Sequence, residues 1–268
     1  MLDHDNLEEF ADAARYDRED PSVTGVAFYA ALAAETGGPV LEIACGTGRA
    51  GIPIARQGIA VTGLDRVPGM LARARRKATG LPARWLAADA RTFALAARFR
   101  MIFLTGNAFQ AFLTNADQAA LLARVRAHLA PDGLFAFETR NPRWRGSAGN
   151  ARASPPGEGL FTYLETRAEE VPGRSYVDAD GREVRLARTQ VYDPIAQILH
   201  WTTYRRRPVG DQEETTFTRI ALRFTFPQEL AALLDGHGFA VIRRYGDWDL
   251  SPLTGASPSI ICVCRPRP

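Results

Sequence analysis

The residues best suited to chemistry are a glycine turn and the acids around it. Gly46-Thr47-Gly48 follows an apolar run, Val40 to Cys45, that contains one carboxylate, Glu42. Two later apolar runs, Ala60–Leu64 and Arg84–Ala88, are closed by Asp65 and Asp89. A glycine turn between a buried strand and a new helix brings backbone N–H and C=O groups close to a ligand. An acid at the tip of the next strand offers acceptors to the two hydroxyls of a ribose. Taken alone, the turn is ambiguous. Gly46, Gly48 and Gly51 also satisfy G-x-G-x-x-G with Asp65 downstream, so a nicotinamide dinucleotide and S-adenosylmethionine both fit. The pairing of Asp65 with Asp89 favours S-adenosylmethionine, because a dinucleotide fold has no reason to place a second acid at the tip of its third strand.

The 268-residue chain is long enough for one large domain, or a domain with an insertion, and can bury a full core. It is 46% apolar with a net charge of +3, and Lys77 is its single lysine. Such modest charge, with no appended binding segment, argues against a nucleic-acid partner. Cys45, Cys262 and Cys264 sit in strand-like runs, the pattern of reduced, buried thiols, and no spacing suggests a metal site. The acidic start has no leader-like apolar run, and no stretch approaches the length of a membrane span. A soluble cytoplasmic protein is expected.

The elements that must hold the turn and the acids alternate. Helical segments in residues 1–20 and at Val26–Glu35 precede the glycine strand. The strand of Asp65 leads into a helix from about Pro68, and the strand of Asp89 is followed by a fourth strand, Met101–Leu104. An amphipathic helix, Asp117–Leu129, leads through Pro131-Asp132-Gly133 to a fifth strand, Leu134–Glu138. Strands alternating with helices predict a parallel sheet covered on both faces. Residues 141–159 read as loop. Period-two alternation then predicts an antiparallel insertion of three or four strands, with Asp193-Pro194 turning Glu183–Tyr192 back into Ile198–Tyr204. A helix from Pro227 and two strands, Phe239–Tyr245 and Ser259–Cys264, close the sheet.

On these residues the chain resembles the class I S-adenosylmethionine-dependent methyltransferases, over 39–139 and again over 227–265. The likeness is carried by Leu41-Glu42-Ile43-Ala44-Cys45-Gly46-Thr47-Gly48, by Gly63-Leu64-Asp65 with Met70, by Ala88-Asp89-Ala90, and by Leu129-Ala130-Pro131-Asp132-Gly133-Leu134. It implies an α/β, Rossmann-like sheet of seven strands with the last one antiparallel between the fifth and sixth. The three segments it implies are an N-terminal helical lid over 1–38, a cofactor-binding core over 39–140 and 227–268, and the β insertion over 141–226 as a lid or oligomer surface. S-adenosylmethionine, leaving as S-adenosylhomocysteine, would be held by Glu42, Ala44, Gly46, Thr47, Gly48, Asp65, Arg66, Met70, Asp89, Ala90 and Thr105. Three of these have structural alternatives: Glu42 as an internal contact, Asp89 as a helix cap, Met70 as core.

The acceptor side is less defined. Methyl transfer asks a protein mainly to align nucleophile, methyl and sulfur and to exclude water. A neutral amine needs little more, whereas a hydroxyl or carbon nucleophile needs a base. Thr105-Gly106-Asn107-Ala108-Phe109 follows the fourth strand and lacks the Asn/Asp-Pro-Pro-Tyr/Phe pattern of DNA-adenine methylation. Asn107 can orient an acceptor or cap the next helix. His200 is the candidate base, against a plain sheet-surface histidine. Tyr16 is the third candidate at the reacting centre. Tyr29, Phe109, Trp144, Trp201 and Tyr204 can line an aromatic acceptor site or simply fill core. The bacterial sugar-amine and glycine/sarcosine N-methylating enzymes share the early Tyr-containing helix and the insertion. The reading is therefore a small-molecule methyltransferase without a metal, N-methylation slightly favoured over O or C, with a homodimer as one use of the insertion. The rivals are an NAD(P)-dependent oxidoreductase and a non-catalytic S-adenosylmethionine-binding module.

Overall fold

The computed structural model describes residues 6–143 and 164–268. The chain divides into two compact units, one built from 22–141 and 225–268, the other from 1–21 and 142–224.

The larger unit holds a seven-stranded sheet. Its strands are β1 (Val40–Ile43), β2 (Val61–Asp65), β3 (Ala83–Ala87), β4 (Phe99–Leu104), β5 (Leu129–Arg140), and, after the second unit, β10 (Phe239–Tyr245) and β11 (Ser259–Pro266). Their order is β10-β11-β5-β4-β1-β2-β3. β1 runs parallel to β2 and β4, β2 to β3, and β4 to β5, whereas β11 lies antiparallel between β5 and β10. The chain reverses its lateral direction between β1 and β4, and crevices for ligands open at the carboxyl ends of such strands.

β1 is buried on both sides, as an unbroken apolar run requires. Leu41 and Ile43 face one core layer, with Leu121, Leu122 and Val125 of helix α5 (Asn115–His128) and Leu230 and Leu234 of α6 (Pro227–Gly236). Val40 faces the other layer, with Tyr29 and Leu32 of α2 (Val26–Thr36) and Ile54 of α3 (Gly51–Ala55). Local chemistry sets the ends. Gly25 and Gly37 bracket α2 in left-handed conformations at φ 79° and 74°. Pro68 opens α4 (Pro68–Lys77), and Thr114 accepts the Asp117 N–H at 3.0 Å to cap α5.

The second unit is a four-stranded antiparallel meander, β6 (Arg167–Val177), β7 (Glu183–Asp193), β8 (Ile198–Val209) and β9 (Gln212–Arg223), accompanied by α1 (Ala13–Glu19). Asp193 makes the expected turn, its Oδ1 accepting the N–H groups of Ile195 and Ala196 at 2.8 and 3.1 Å. Four arginines of the insertion are matched with acids. Arg185 meets Glu213, Arg206 meets Glu170 at 2.7 Å, Arg207 meets Glu214 at 2.7 Å and Arg219 meets Glu8 at 2.7 Å. Arg205 goes further inward. It is 4% exposed, grips Glu19 with Nε and a terminal nitrogen at 2.6 and 2.7 Å, and reaches Glu9 at 2.9 Å and the Thr218 hydroxyl at 2.6 Å.

Candidate active site

Because β4, β1, β2 and β3 are parallel neighbours, the glycine turn, Asp65, the Asp89 turn and the 105–107 turn all lie at one edge of the sheet. The turn leaves β1 through Ala44 at φ 55°, followed by Gly46 at 53° and Gly48 at 79°. A left-handed alanine is held there against a steric penalty of about 1–2 kcal/mol that glycine avoids. A Cβ on Gly46 would meet nothing within 4 Å, so this part of the turn faces open space where a ligand can approach.

Asp65 ends β2 with its carboxylate across the turn. One oxygen accepts the Gly46 N–H at 2.7 Å and the other the Val67 N–H at 2.9 Å. Burial pushes its pKa up and these N–H groups oppose the rise. A carboxylate has about four lone-pair positions, so acceptor capacity remains for ribose hydroxyls. Thr47, almost fully buried, accepts from Lys77 Nζ at 3.0 Å, tying the turn to α4.

Glu42 points inward, not toward the open edge. It is fully buried, and Oε2 accepts the N–H of Gly51 at 2.9 Å. Its Oε1 is buried without a hydrogen-bond partner among the described residues. Burial raises its pKa to about 8. The folded protein therefore holds a proton on Glu42 that the unfolded chain has released above the ordinary carboxylate range. Stability must then fall as pH rises from that range through about 8, by up to about 1.4 kcal/mol per pH unit from this group. Glu42→Gln, which mimics the neutral acid, is expected to flatten the apoprotein's stability between pH 5 and 8. Chemical denaturation of both proteins across that range checks it; equal slopes would show that Glu42 is ionised in the fold.

The glycines around the turn also serve a side chain. A Cβ on Gly48 would lie 2.8 Å from the Trp85 ring, on Gly51 3.3 Å, and on Gly63 2.3 Å. The indole of β3 is thus seated in a slot that three glycines keep open beneath the turn.

Asp89 has a partner that sequence reasoning missed. Arg91 donates to both its oxygens at 3.0 and 2.7 Å and reaches Asp117 on α5 at 2.7 Å, while Arg66 stands 3.6 Å away. The Arg91 guanidinium holds the Asp89 carboxyl down at about 2. Asp89 also turns its own loop, its Oδ1 accepting the Arg91 N–H at 2.9 Å. No helix begins between β3 and β4, so this is a turn bond and not the helix cap weighed from the sequence, and Ala90 follows Asp89 in the same turn.

After β4, Thr105 and Asn107 are drawn to one residue not singled out from the sequence, Glu138 near the end of β5. Its Oε1 accepts the Asn107 N–H at 2.9 Å and the Thr105 hydroxyl at 3.4 Å, and its Oε2 meets the Tyr29 hydroxyl. Tyr29 is wholly buried, stacks on Phe103 at 4.8 Å between centroids, and reaches the Leu104 carbonyl at 3.0 Å. Asn107 is left-handed at φ 58°, and its Oδ1 is buried without a hydrogen-bond partner among the described residues. It occupies the position before the 3-10 turn Ala108–Ala111, yet its side chain makes no capping bond.

Several expectations need correction. Met70 is 1% exposed and Phe109 0%, the latter stacked on Phe137 at 4.7 Å, so both are core residues. Tyr29 likewise shows no surface to an acceptor. Trp201 and Tyr204 cannot line one aromatic site together, because side chains alternate along β8. Trp201 packs with Ile220, Leu222 and Phe10, and Tyr16 stands edge-on to the same Phe10 at 5.8 Å. His200 and Tyr204 face the other way, Tyr204 beside Phe217 and under the Arg206 guanidinium at 5.7 Å. Trp144 lies outside the described residues. Among those described, no group of three or more His, Cys, Asp or Glu side chains is gathered to hold a metal, and no helix is long and apolar enough to cross a membrane.

Residues 40–133 match the family model described as a methyltransferase domain. With the glycine turn, the acid at the tip of β2 and the reversed last strand, the matched stretch is a methyltransferase domain of the class I, S-adenosylmethionine-dependent kind. The dehydrogenase reading is set aside. No curated protein matches by sequence. Solved structures do. The CcbJ methyltransferase from Streptomyces caelestis aligns at TM-score 0.78 and 21% identity, over 99% of this chain and 100% of its own. The sugar N-methyltransferase KedS8 from Streptoalloteichus aligns at 0.70 and 19%, over 100% and 97%. CalS10, an amino pentose methyltransferase from Micromonospora echinaspora with its cofactor bound, aligns at 0.67 and 22%, over 94% and 95%. At these identities the likeness is one of fold, and it spans both compact units.

Proposed function

We propose that this methyltransferase acts on the nitrogen of a small-molecule amine. The observation that carries the reading is Asn107 Oδ1, a buried acceptor without a partner among the described residues, on the turn that follows β4. An orphaned acceptor is satisfied by a donor, and an amine N–H is one. The sugar N-methyltransferase and the amino pentose methyltransferase among the structural neighbours support the same choice.

S-adenosylmethionine would supply a methyl group already activated by its sulfonium. The chain's own residues do the rest. The backbone of Ala44 to Gly48 holds the amino-acid end, Asp65 accepts from the ribose, and the Asp89–Ala90 turn meets the adenine. Asn107 accepts from the amine and turns its lone pair toward the methyl. A neutral amine attacks without a base, and His200 is assigned no role.

A panel of amines, amino sugars first, incubated with S-adenosylmethionine and read by product mass tests this, with hydroxyl-only analogues alongside. Transfer to an amine is expected and transfer confined to the hydroxyl compounds would overturn the reading. In Asn107→Gly, glycine accepts φ 58° freely, so the loss reports the side chain alone. The expected fall in kcat/KM is about tenfold to a hundredfold, with S-adenosylhomocysteine affinity unchanged.

A further inference from the structure

The polar group under the 105–107 turn fixes where its protons sit. The Tyr29 hydroxyl has a single hydrogen, yet it touches two acceptors, the Leu104 carbonyl at 3.0 Å and Glu138 Oε2. All are buried: Tyr29 at 0% exposure and Glu138 at 3%. One hydrogen shared between two acceptors serves each weakly, and a buried acceptor left underserved is costly. The count closes if Glu138 carries a proton on Oε2 and donates it to the Tyr29 oxygen, while Tyr29 donates to Leu104. Oε1 then remains the acceptor for Asn107 N–H at 2.9 Å and Thr105 at 3.4 Å.

We propose that Glu138, held as a neutral acid by Tyr29, is the positioning residue that clamps the Asn107 turn in its left-handed conformation and so sets the acceptor site. Burial raises the pKa of both groups. The titratable neighbours acting on Tyr29, Cys262 on β11 and Glu42 on β1, add to its rise. The leading influences on the two groups include no cation from α2, β1, β4 or β11; the Asn107 and Gly106 N–H groups, and the Tyr29 hydroxyl when it donates to Glu138, favour the ionised form, and burial outweighs them. The clamp rests on the functional reading only in what it positions; its existence is tested without an acceptor.

Glu138→Gln can copy every bond, accepting at Oε1 and donating to Tyr29 through its amide. Glu138→Leu can copy none. The apoprotein's infrared spectrum at neutral pH should show protonated-carboxylic-acid absorption beyond that of Glu42, and this component should be lost in Glu138→Gln; no difference between the two spectra would mean Glu138 is ionised and would overturn the proposal. Amide exchange at Asn107 should stay within about threefold of wild type in Glu138→Gln and rise about tenfold or more in Glu138→Leu. Equal acceleration in both would also overturn it. Tyr29→Phe gives a second route to the Asn107 amide if Glu138→Leu does not fold, and unchanged exchange in it would count against the clamp. Intact clamp signals with no transfer to any amine would overturn the functional reading alone.

Discussion

Asp65→Ala should abolish measurable binding of S-adenosylhomocysteine. The carboxylate spans the edge of the sheet from β2 to the glycine turn, and its removal acts twice. Two charge-assisted hydrogen bonds to ribose hydroxyls, each worth about 1.5–3 kcal/mol, are lost, which is a weakening of about a hundredfold or more. The Gly46 and Val67 N–H groups, accepted at 2.7 and 2.9 Å, lose the group that holds the turn in shape. Calorimetric titration with S-adenosylhomocysteine, with NAD and NADP alongside, measures it, and circular dichroism confirms that the variant is folded. Wild-type affinity in a folded Asp65→Ala protein would remove the central assignment of the site.

Arg205→Met should be the most destabilising single change in the inserted unit. The guanidinium binds Glu19 in parallel at 2.6 and 2.7 Å and Glu9 at 2.9 Å, and Arg205 and Glu19 are 4% and 6% exposed. Removing it leaves buried Glu19 beside Arg15 at 3.8 Å and partly buried Glu9 beside the Thr218 hydroxyl, without their strongest partner, a loss of about 3–5 kcal/mol. Arg205→Lys should recover only part, because an ammonium cannot make the planar two-point contact. The triple replacement Glu9→Leu, Glu19→Leu, Arg205→Met should recover most of it, since the cost lies in the unpaired charges. Denaturant unfolding of the three proteins decides; a triple variant as unstable as the single one would mean that side-chain packing dominates instead.

The fold was legible where periodicity and punctuation agree. Each core strand expected from an apolar run is present, with its acid or turn at the expected end, and the Asp193-Pro194 hairpin pairs as read. The insertion has four strands, and the first of them, β6, is the hardest to read because it is broken by Pro172 and Gly173, mostly exposed, and carries little alternation. What sequence could not show are the contacts that topology creates. Glu138 and Tyr29 lie 109 residues apart, and Arg205 and Glu19 186. Nothing local distinguishes Arg205 from its exposed neighbours. One conflict was visible in advance: Trp201 and Tyr204 are three residues apart in a strand and must face opposite ways, so the pleat alone keeps them from lining one aromatic site.

The slot around Trp85 has an evolutionary consequence. Gly63 is kept bare by this indole and by the Cys45 thiol, 2.3 and 2.9 Å from an added Cβ, and Gly48 by the indole and Ile52, 2.8 and 2.9 Å away, besides its φ of 79°. A larger residue at Gly63 therefore asks for a smaller one at Trp85 and a shift at Cys45 together. The residues that the cofactor turn and the third strand admit are thus coupled, although the two are far apart in the chain.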